Sequence, residues 1–86
     1  MNKLDFFYNM MEHAIMKGNY VKVRTKHFEI SVKVIEENVG YYSCEGINLI
    51  YIPMEHEIVK AERYEAGGFY KRMVKLNDET VLTICE

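Results

Sequence analysis

Three adjacent residues, Glu55, His56 and Glu57, form the densest run of metal-binding and proton-transferring side chains in this sequence. Ligands of a zinc site on a helix share one face, as the two histidines of an H-E-x-x-H motif do. Consecutive side chains diverge, so these three do not converge on one ion, and no spacing groups them with another histidine or a cysteine. Pro53 lacks the N–H that a central strand needs. We therefore expect a chain corner with a 3₁₀ turn at 54–56, no metal site and no cofactor.

A cysteine–histidine pair is the remaining candidate for catalysis. Cys44 could pair with His27 or His56, because separation in sequence does not set distance in space. However, Cys44 lies in an apolar alternating run, where a buried and inert thiol is the common case. The sequence has no G-x-S-x-G, no phosphate-binding glycine loop and no dinucleotide fingerprint. We predict no catalytic residues, and a minimal enzyme that uses Cys44 or a histidine is the least favoured alternative.

Aromatic and basic residues surround the Gly67-Gly68 turn in the segment 62–72. Aromatic rings stack on bases, cations pair with phosphates, and glycine allows close approach to a ligand. The alternative is a hairpin whose rings pair across strands and whose cations are solvated. It is favoured because Glu62 and Glu65 dilute the positive field. The candidate binding residues of this segment are Arg63, Tyr64, Phe69, Tyr70, Lys71 and Arg72.

Tyr41 and Tyr42 add a second candidate surface. Adjacent residues of a strand point to opposite faces, so one of these rings faces the core and the other faces out. Aromatic residues are enriched at interfaces. Both tyrosines are therefore included among the predicted binding residues.

Size and composition bound the class of protein. The 86 residues, 49% hydrophobic and 28% charged, predict one globular domain over 1–86. Eleven Lys and Arg against thirteen Asp and Glu give a formal charge of −2. A general duplex-DNA binder carries a basic excess and an acidic DNA mimic a larger negative charge, so neither is favoured. No apolar run reaches the roughly 20 residues of a membrane helix, so we expect a cytoplasmic protein with no membrane partner.

Cysteine usage and codon bias bear on compartment and origin. Cys44 and Cys85 lie outside any C-x-x-C spacing, so we expect two free thiols in a reducing cytoplasm. Phe, Tyr, Met, Ile, Asn and Lys supply 39 residues, whereas Gly, Ala, Arg and Pro supply 12. The first six have AT-rich codons and the last four have GC-rich codons. The gene is therefore expected in a low-GC bacterium, or in a phage or mobile element of one, where the protein would act in the host cytoplasm.

One helix is expected near the N-terminus, over 3–17. Asn2 can cap it, with Asp5 as a variant capping box that also places a negative charge in the first turn. Apolar residues from Leu4 to Ile15 recur at the spacing of one helix face. Gly18 suits a left-handed helix end.

The apolar arc of this helix is wider than one core stripe, because Phe6 and Met10 extend it. A surface helix of a monomer needs an arc of only about 100°. One interpretation is that the helix is deeply embedded between the sheet and loops. The other is that Phe6 and Met10 contact another subunit or a partner, which predicts a homo-oligomer.

Beyond Gly18 the apolar period changes from 3.6 to 2, which predicts strands. Turn residues separate the alternating segments, and Gly46 is expected to form a bulge or bend that splits the third of them. The segments are 20–25, 28–37, 41–52, 57–65, 69–76 and 79–85. They predict about six antiparallel strands in a meander within 20–85.

These elements predict an α+β fold. One helix cannot cover both faces of so many strands, so we expect the N-terminal helix to pack on a strongly curved antiparallel sheet or small barrel. The order of helix, several strands, Pro-containing corner and further strand is similar in outline to Sm-like and other SH3-like small barrels. The similarity is one of layout, since the loops contain no Sm motif and the hairpin at 69–85 is additional.

Three classes of function follow from these observations. The favoured hypothesis is a non-enzymatic inhibitor or adaptor of a phage or mobile element that binds and occludes a host protein, with an antiviral-defence component as a candidate target. The alternative is a small barrel that binds single-stranded nucleic acid or a nucleotide through 63–72. The third is the minimal enzyme described above.

Overall fold

The chain folds as one N-terminal helix followed by seven antiparallel strands, as shown by a computed structural model that describes residues 2–86. The predicted α+β class is confirmed, with seven strands where about six were expected. The elements are α1 (Lys3–Lys17), β1 (Tyr20–Arg24), β2 (Glu29–Glu37), β3 (Tyr41–Cys44), β4 (Leu49–Tyr51), a 3₁₀ turn (Glu55–Glu57), β5 (Ile58–Ala66), β6 (Phe69–Leu76) and β7 (Val81–Cys85).

The helix begins and ends where its capping residues predict. The Asn2 side-chain oxygen accepts a hydrogen bond of 2.7 Å from the backbone N–H of Asp5, which satisfies one free donor of the first turn. Gly18 ends the helix in the left-handed conformation, with φ 67°. Within the residues that the structure describes, no helix is both long enough and apolar enough to cross a membrane.

The extra strand comes from Gly46. We expected a bulge or bend at this glycine to split one long strand. The strand is split there, but the prediction of a bulge or bend is wrong. Gly46 has φ 82° and lies in a turn that reverses the chain, so β3 and β4 pair as a hairpin with Tyr42 opposite Ile50. A positive φ is accessible to glycine without steric cost, which is why the reversal occurs here.

The strands form one sheet in the order β4-β3-β2-β1-β7-β6-β5. The sheet consists of two meanders, β1 to β4 and β5 to β7, that join where β1 pairs with β7. The predicted single meander is therefore wrong at this junction. Because β4 and β5 are both edge strands, the sheet is not closed, and the small-barrel outline is not confirmed.

The connection between the two edge strands requires the sheet to curve. Residues 52–57 join β4 to β5, and three of them form the 3₁₀ turn. Seven strands in a flat sheet place the two edges roughly 29 Å apart, at about 4.8 Å per strand. An extended connection of this length reaches at most about 25 Å, and a 3₁₀ turn shortens it. The sheet therefore bends around α1, which contacts both β2 and β5.

This curvature accounts for the wide apolar arc of α1. Met10 has no exposed surface, and Phe6 packs partly buried against the core. The prediction that Met10 lies at an oligomer interface is corrected, because Met10 is fully buried in the core of a single chain, as the deeply embedded alternative expects. The buried core consists of Phe7, Met10, Met11, Ala14, Val21, Val32, Val34, Tyr42, Cys44, Ile50, Ile58, Val74, Leu82 and Ile84.

Candidate binding surfaces

The aromatic and basic residues of the β5–β6 hairpin do not form one surface. Arg63 lies opposite Arg72 in the register of the two strands, whereas Tyr64 lies opposite Lys71. Directly opposite residues share a face, and successive residues alternate. Arg63, Tyr70 and Arg72 therefore lie on the side that faces the helix. Tyr64 and Lys71 lie on the other side, called here the outer face.

Glu86 occupies the two arginines of the helix-facing side. Its Oε2 accepts hydrogen bonds from Arg63 Nε at 2.8 Å and Arg72 Nε at 2.6 Å, and its Oε1 accepts one from Arg63 Nη2 at 3.0 Å. These bonds, those from Arg63 first, lower the pKa of the Glu86 carboxyl to about 2. The Arg63 guanidinium also lies 3.9 Å from the centre of the Tyr70 ring. The predicted phosphate-pairing and stacking groups of this side are thus engaged within the chain.

The other aromatic candidates also separate. Tyr42 is buried, donates a hydrogen bond of 2.9 Å to Glu37 Oε1 and packs edge-on against Phe7. It is therefore a core residue and not the binding residue that we predicted. Tyr41 points the other way and lies beside Tyr51 with ring centres 6.4 Å apart. Phe69 is exposed beside the Gly67-Gly68 turn.

The residues considered for catalysis lie in a surface turn and in the core. Glu55–Glu57 form the expected corner as a 3₁₀ turn, in which Glu57 Oε1 accepts a hydrogen bond of 3.0 Å from the Met54 N–H. Within residues 2–86, no group of three or more His, Cys, Asp or Glu is placed to hold a metal ion. Cys44 is buried on the helix-facing side, and burial raises the pKa of its thiol. A raised thiol pKa disfavours the nucleophilic thiolate.

An apolar cleft that the sequence did not reveal lies at the uncovered end of the helix-facing side. Along one face of β2 the exposed fraction rises from 3% at Val34 and 5% at Val32 to 39% at Ile30 and 52% at Phe28. The helix therefore covers one end of this face and leaves the other end open. The cleft has a volume of about 400 Å³. Its lining residues are Val23, Thr25, Phe28, Ile30, Val32, Asn48, Leu49, Ile50, Tyr51, Leu76, Thr80 and Leu82.

One wall of the cleft is the edge strand β4. Its backbone pairs with β3 on one side only, so the free side of Leu49–Tyr51 presents polar backbone groups beside apolar side chains. From the sequence, the even spacing of Phe28, Val32 and Val34 already indicated that they share one face of a strand. A sequence signal for the opening was the mismatch between one short helix and many strands, but that signal does not say which end stays open.

The structure thus leaves two surfaces as candidates for binding, the apolar cleft and the outer face of the sheet. The cleft combines exposed apolar side chains with an unpaired strand edge. The outer face carries Tyr64, Phe69 and Lys71 from the predicted hairpin site. Comparison with known proteins gives no family for this chain, since no family model matches it and neither the curated proteins nor the solved structures gave a match.

Proposed function

We propose that this chain is a non-enzymatic binding protein that occludes a partner protein, and that the apolar cleft is its contact surface. The observation that carries the proposal is the rise in exposure from Val34 to Phe28 along one continuous apolar face. Monomeric proteins rarely expose large contiguous apolar patches. Where such a patch occurs, it commonly marks an interaction site. Phe28, Ile30 and Leu49 would be withdrawn from water when a partner fills the cleft.

A protein segment fits this cleft better than a small molecule does. Small-molecule sites place a few polar groups precisely to orient the ligand. The polar side chains that line this cleft are Thr25, Asn48, Tyr51 and Thr80, all at its margin with loops or the edge strand. The free edge of β4 instead offers backbone N–H and C=O groups, which an extended protein segment can pair with while its side chains fill the cleft.

The origin of the gene indicates where the partner is to be sought. The excess of residues with AT-rich codons points to a low-GC bacterium or to its phages and mobile elements. Small proteins of mobile elements often act by binding and blocking a host protein, an analogy and not a physical argument. We therefore place the partner in the host cell, with a component of antiviral defence as the candidate class.

The test compares two exposed phenylalanines. Phe28 lies in the cleft, and Phe69 is similarly exposed on the β5–β6 hairpin, away from the cleft. The wild-type protein, Phe28→Ser and Phe69→Ser are each used to capture proteins from a lysate of the source host, with and without nuclease treatment. We expect one protein that the wild type and Phe69→Ser retain and that Phe28→Ser loses.

Two results would contradict the proposal. Capture of the same protein by all three forms would place the contact outside the cleft. Loss of every captured protein after nuclease treatment would show that nucleic acid mediated the association. Melting temperatures of the three forms serve as the folding control, because Phe28 and Phe69 are both half-exposed and neither substitution empties the core.

A further inference from the structure

Lysines and arginines are concentrated on the outer face of the block in which β5, β6, β7, β1 and the paired half of β2 run side by side. Opposite residues in this block share a face, for example Lys75 with Lys60 and Arg24 with Val81. The face ends where β2 shifts register at the bulge between Val34 and Glu36. We call its cations the basic patch: Lys22, Arg24, Lys33, Lys60, Lys71 and Lys75.

The charge of the molecule is strongly segregated by this arrangement. The basic patch holds six of the eleven Lys and Arg, and the same face holds two of the thirteen Asp and Glu, Glu29 and Glu62. The face therefore carries +4, and the five cations and eleven carboxylates elsewhere carry −6, for the total of −2. A net charge near neutral thus conceals a positive face on an otherwise negative protein.

Each of the two carboxylates on this face is already paired with a lysine. Glu29 lies 3.4 Å from Lys22, and Glu62 lies 3.6 Å from Lys60. The other four cations of the patch, Arg24, Lys33, Lys71 and Lys75, make no ion pair within the part of the chain that the structure describes. Four positive charges are therefore available to an anionic ligand.

A shallow depression lies at the centre of the same face. It has a volume of about 220 Å³ and is lined by outer-face residues: Lys22, Arg24, Glu29, Tyr64, Lys71, Met73, Val81 and Thr83. Tyr64 lies opposite Lys71 and lines the same depression as Arg24, so two of the unpaired cations share the depression with its ring. An aromatic ring among cations is the combination that stacks a base while neighbouring side chains pair with phosphates.

We propose that the basic patch binds single-stranded nucleic acid, with phosphates at its four unpaired cations and a base stacked on Tyr64. A single strand can lie across a sheet face, whereas this face presents no helix or ribbon that could enter the groove of a duplex. The negative remainder of the molecule repels phosphates and confines the contact to the patch. Of the hairpin residues predicted from sequence, Tyr64, Phe69 and Lys71 lie on this face, whereas Arg63, Tyr70 and Arg72 lie on the helix-facing side.

The salt dependence of binding tests this assignment. A fluorescently labelled oligothymidylate of about 15 nucleotides is titrated with the wild-type protein, and anisotropy gives the association constant at several salt concentrations. Each phosphate contact on a single strand contributes about −0.7 to the slope of log K against log salt, so four contacts give a slope of about −3. Lys71→Gln combined with Lys75→Gln halves that slope. The matched control, Lys3→Gln combined with Lys17→Gln on α1, leaves it unchanged.

Stacking is tested separately at Tyr64. Tyr64→Ala weakens binding about tenfold, whereas Tyr64→Phe, which keeps the ring, binds as the wild type does. No binding at about 50 mM salt would overturn the proposal, as would an equal loss in the α1 control or equal affinity for a duplex of the same length. Salt-sensitive self-association that Lys71→Gln with Lys75→Gln abolishes would also overturn it, in favour of contact between the basic patch and the acidic surface of a second copy. None of these outcomes involves Phe28, so they are distinguishable from failure of the cleft proposal.

Discussion

At the scale of single residues, Glu86 forms ion pairs with two arginines, Arg63 and Arg72. It connects Arg63 of β5 and Arg72 of β6, and the backbone N–H of Glu86 donates a hydrogen bond of 2.9 Å to Tyr70 O. Its carboxylate is mostly shielded from water, unlike the lysine pairs at the surface. The cluster therefore fastens the end of the chain to the longest hairpin of the sheet.

The first prediction concerns the pH dependence of this cluster. The pKa of Glu86 falls from an ordinary 4.5 to about 2 in the folded protein, so its contribution to stability is complete above about pH 5 and is lost as the pH falls towards 2. Glu86→Gln should lower the melting temperature at pH 7 and flatten its decline between pH 5 and 2. Circular dichroism melts measure both, with Glu65→Gln on the same hairpin as control. Parallel curves for wild type and Glu86→Gln would show that the cluster is not stabilising.

The second prediction concerns the two thiols. Cys44 is buried, and burial raises its pKa, whereas Cys85 is exposed. A thiol reagent at pH 8 should therefore count one thiol in the native protein and two after denaturation, since it reacts with accessible thiolate. Cys85→Ser should remove the native signal. Two reactive thiols before denaturation would contradict the burial of Cys44, and none after denaturation would contradict the expected reducing compartment.

At the scale of elements, α1 covers one side of a sheet that is wider than the helix is long. A helix of 15 residues is about 22 Å long, and seven strands are wider than that when flat. The sheet bends to bring β2 and β5 to the helix, yet the region near Phe28 stays uncovered. The cleft is the part of the helix-facing side that the helix is too short to cover.

The third prediction compares two methionines of α1. Met10 is 0% exposed and Met16 is 76% exposed. Met10→Ala should destabilise the protein by about 2–5 kcal/mol, because it removes buried atoms and leaves a cavity. Met16→Ala should change stability by less than about 0.5 kcal/mol. Urea denaturation measures both. If Met10→Ala keeps its stability but has a lower mass than the wild type in light scattering, Met10 lies at an oligomer interface after all. Self-association through other residues stays a prediction.

The fourth prediction concerns the turn between β6 and β7, which was expected at Asn77-Asp78. The left-handed position falls on Glu79, with φ 72°, and every other positive φ described in the chain belongs to glycine. A side chain there costs about 1–2 kcal/mol, partly offset in glycine by its greater freedom when unfolded. Glu79→Gly should therefore raise the free energy of unfolding by about 0.5–1 kcal/mol. The 3.8 Å contact with Lys26 is exposed and of little worth, so a loss of stability would mean that the turn is not strained.

At the scale of the whole molecule, the two proposed surfaces lie on opposite sides of one sheet. The apolar cleft is on the helix-facing side, and the basic patch is on the outer face. A partner in the cleft therefore does not cover the basic patch. The chain can be tested for each interaction without disturbing the other, through Phe28 on one side and Lys71 with Lys75 on the other.

The fifth prediction follows from the segregation of charge. The molecule has a formal charge of −2, but its outer face is positive. At pH 7 and low salt it should bind a cation exchanger as well as an anion exchanger, because the exchanger meets one face and not the average. Lys71→Gln with Lys75→Gln should abolish retention on the cation exchanger, whereas Lys3→Gln with Lys17→Gln should not. Flow-through of the wild type would show that the positive face is too weak to act alone.

The sequence by itself determined the features that depend on near neighbours. Asn2, Asp5 and Gly18 define the ends of α1, because a cap acts within one helical turn. The alternation of Phe28 with Val34 predicts a strand and its apolar face, since side chains of a strand alternate by geometry alone. The corner at Pro53 and the burial of Cys44 follow from local sequence in the same way.

Only the tertiary structure decided the features that depend on distant residues. The pairing of β1 with β7 joins two meanders. The ion pairs of Glu86 link it to Arg72 and Arg63, which precede it by 14 and 23 positions in the sequence. Neither leaves a local pattern, because the pairing partner is chosen by the packing of the whole chain. The cleft at Phe28 and the gathering of Arg24, Lys71 and Lys75 on one face arise for the same reason: they require strand order and register, which are set only when the whole sheet forms and bends around the helix.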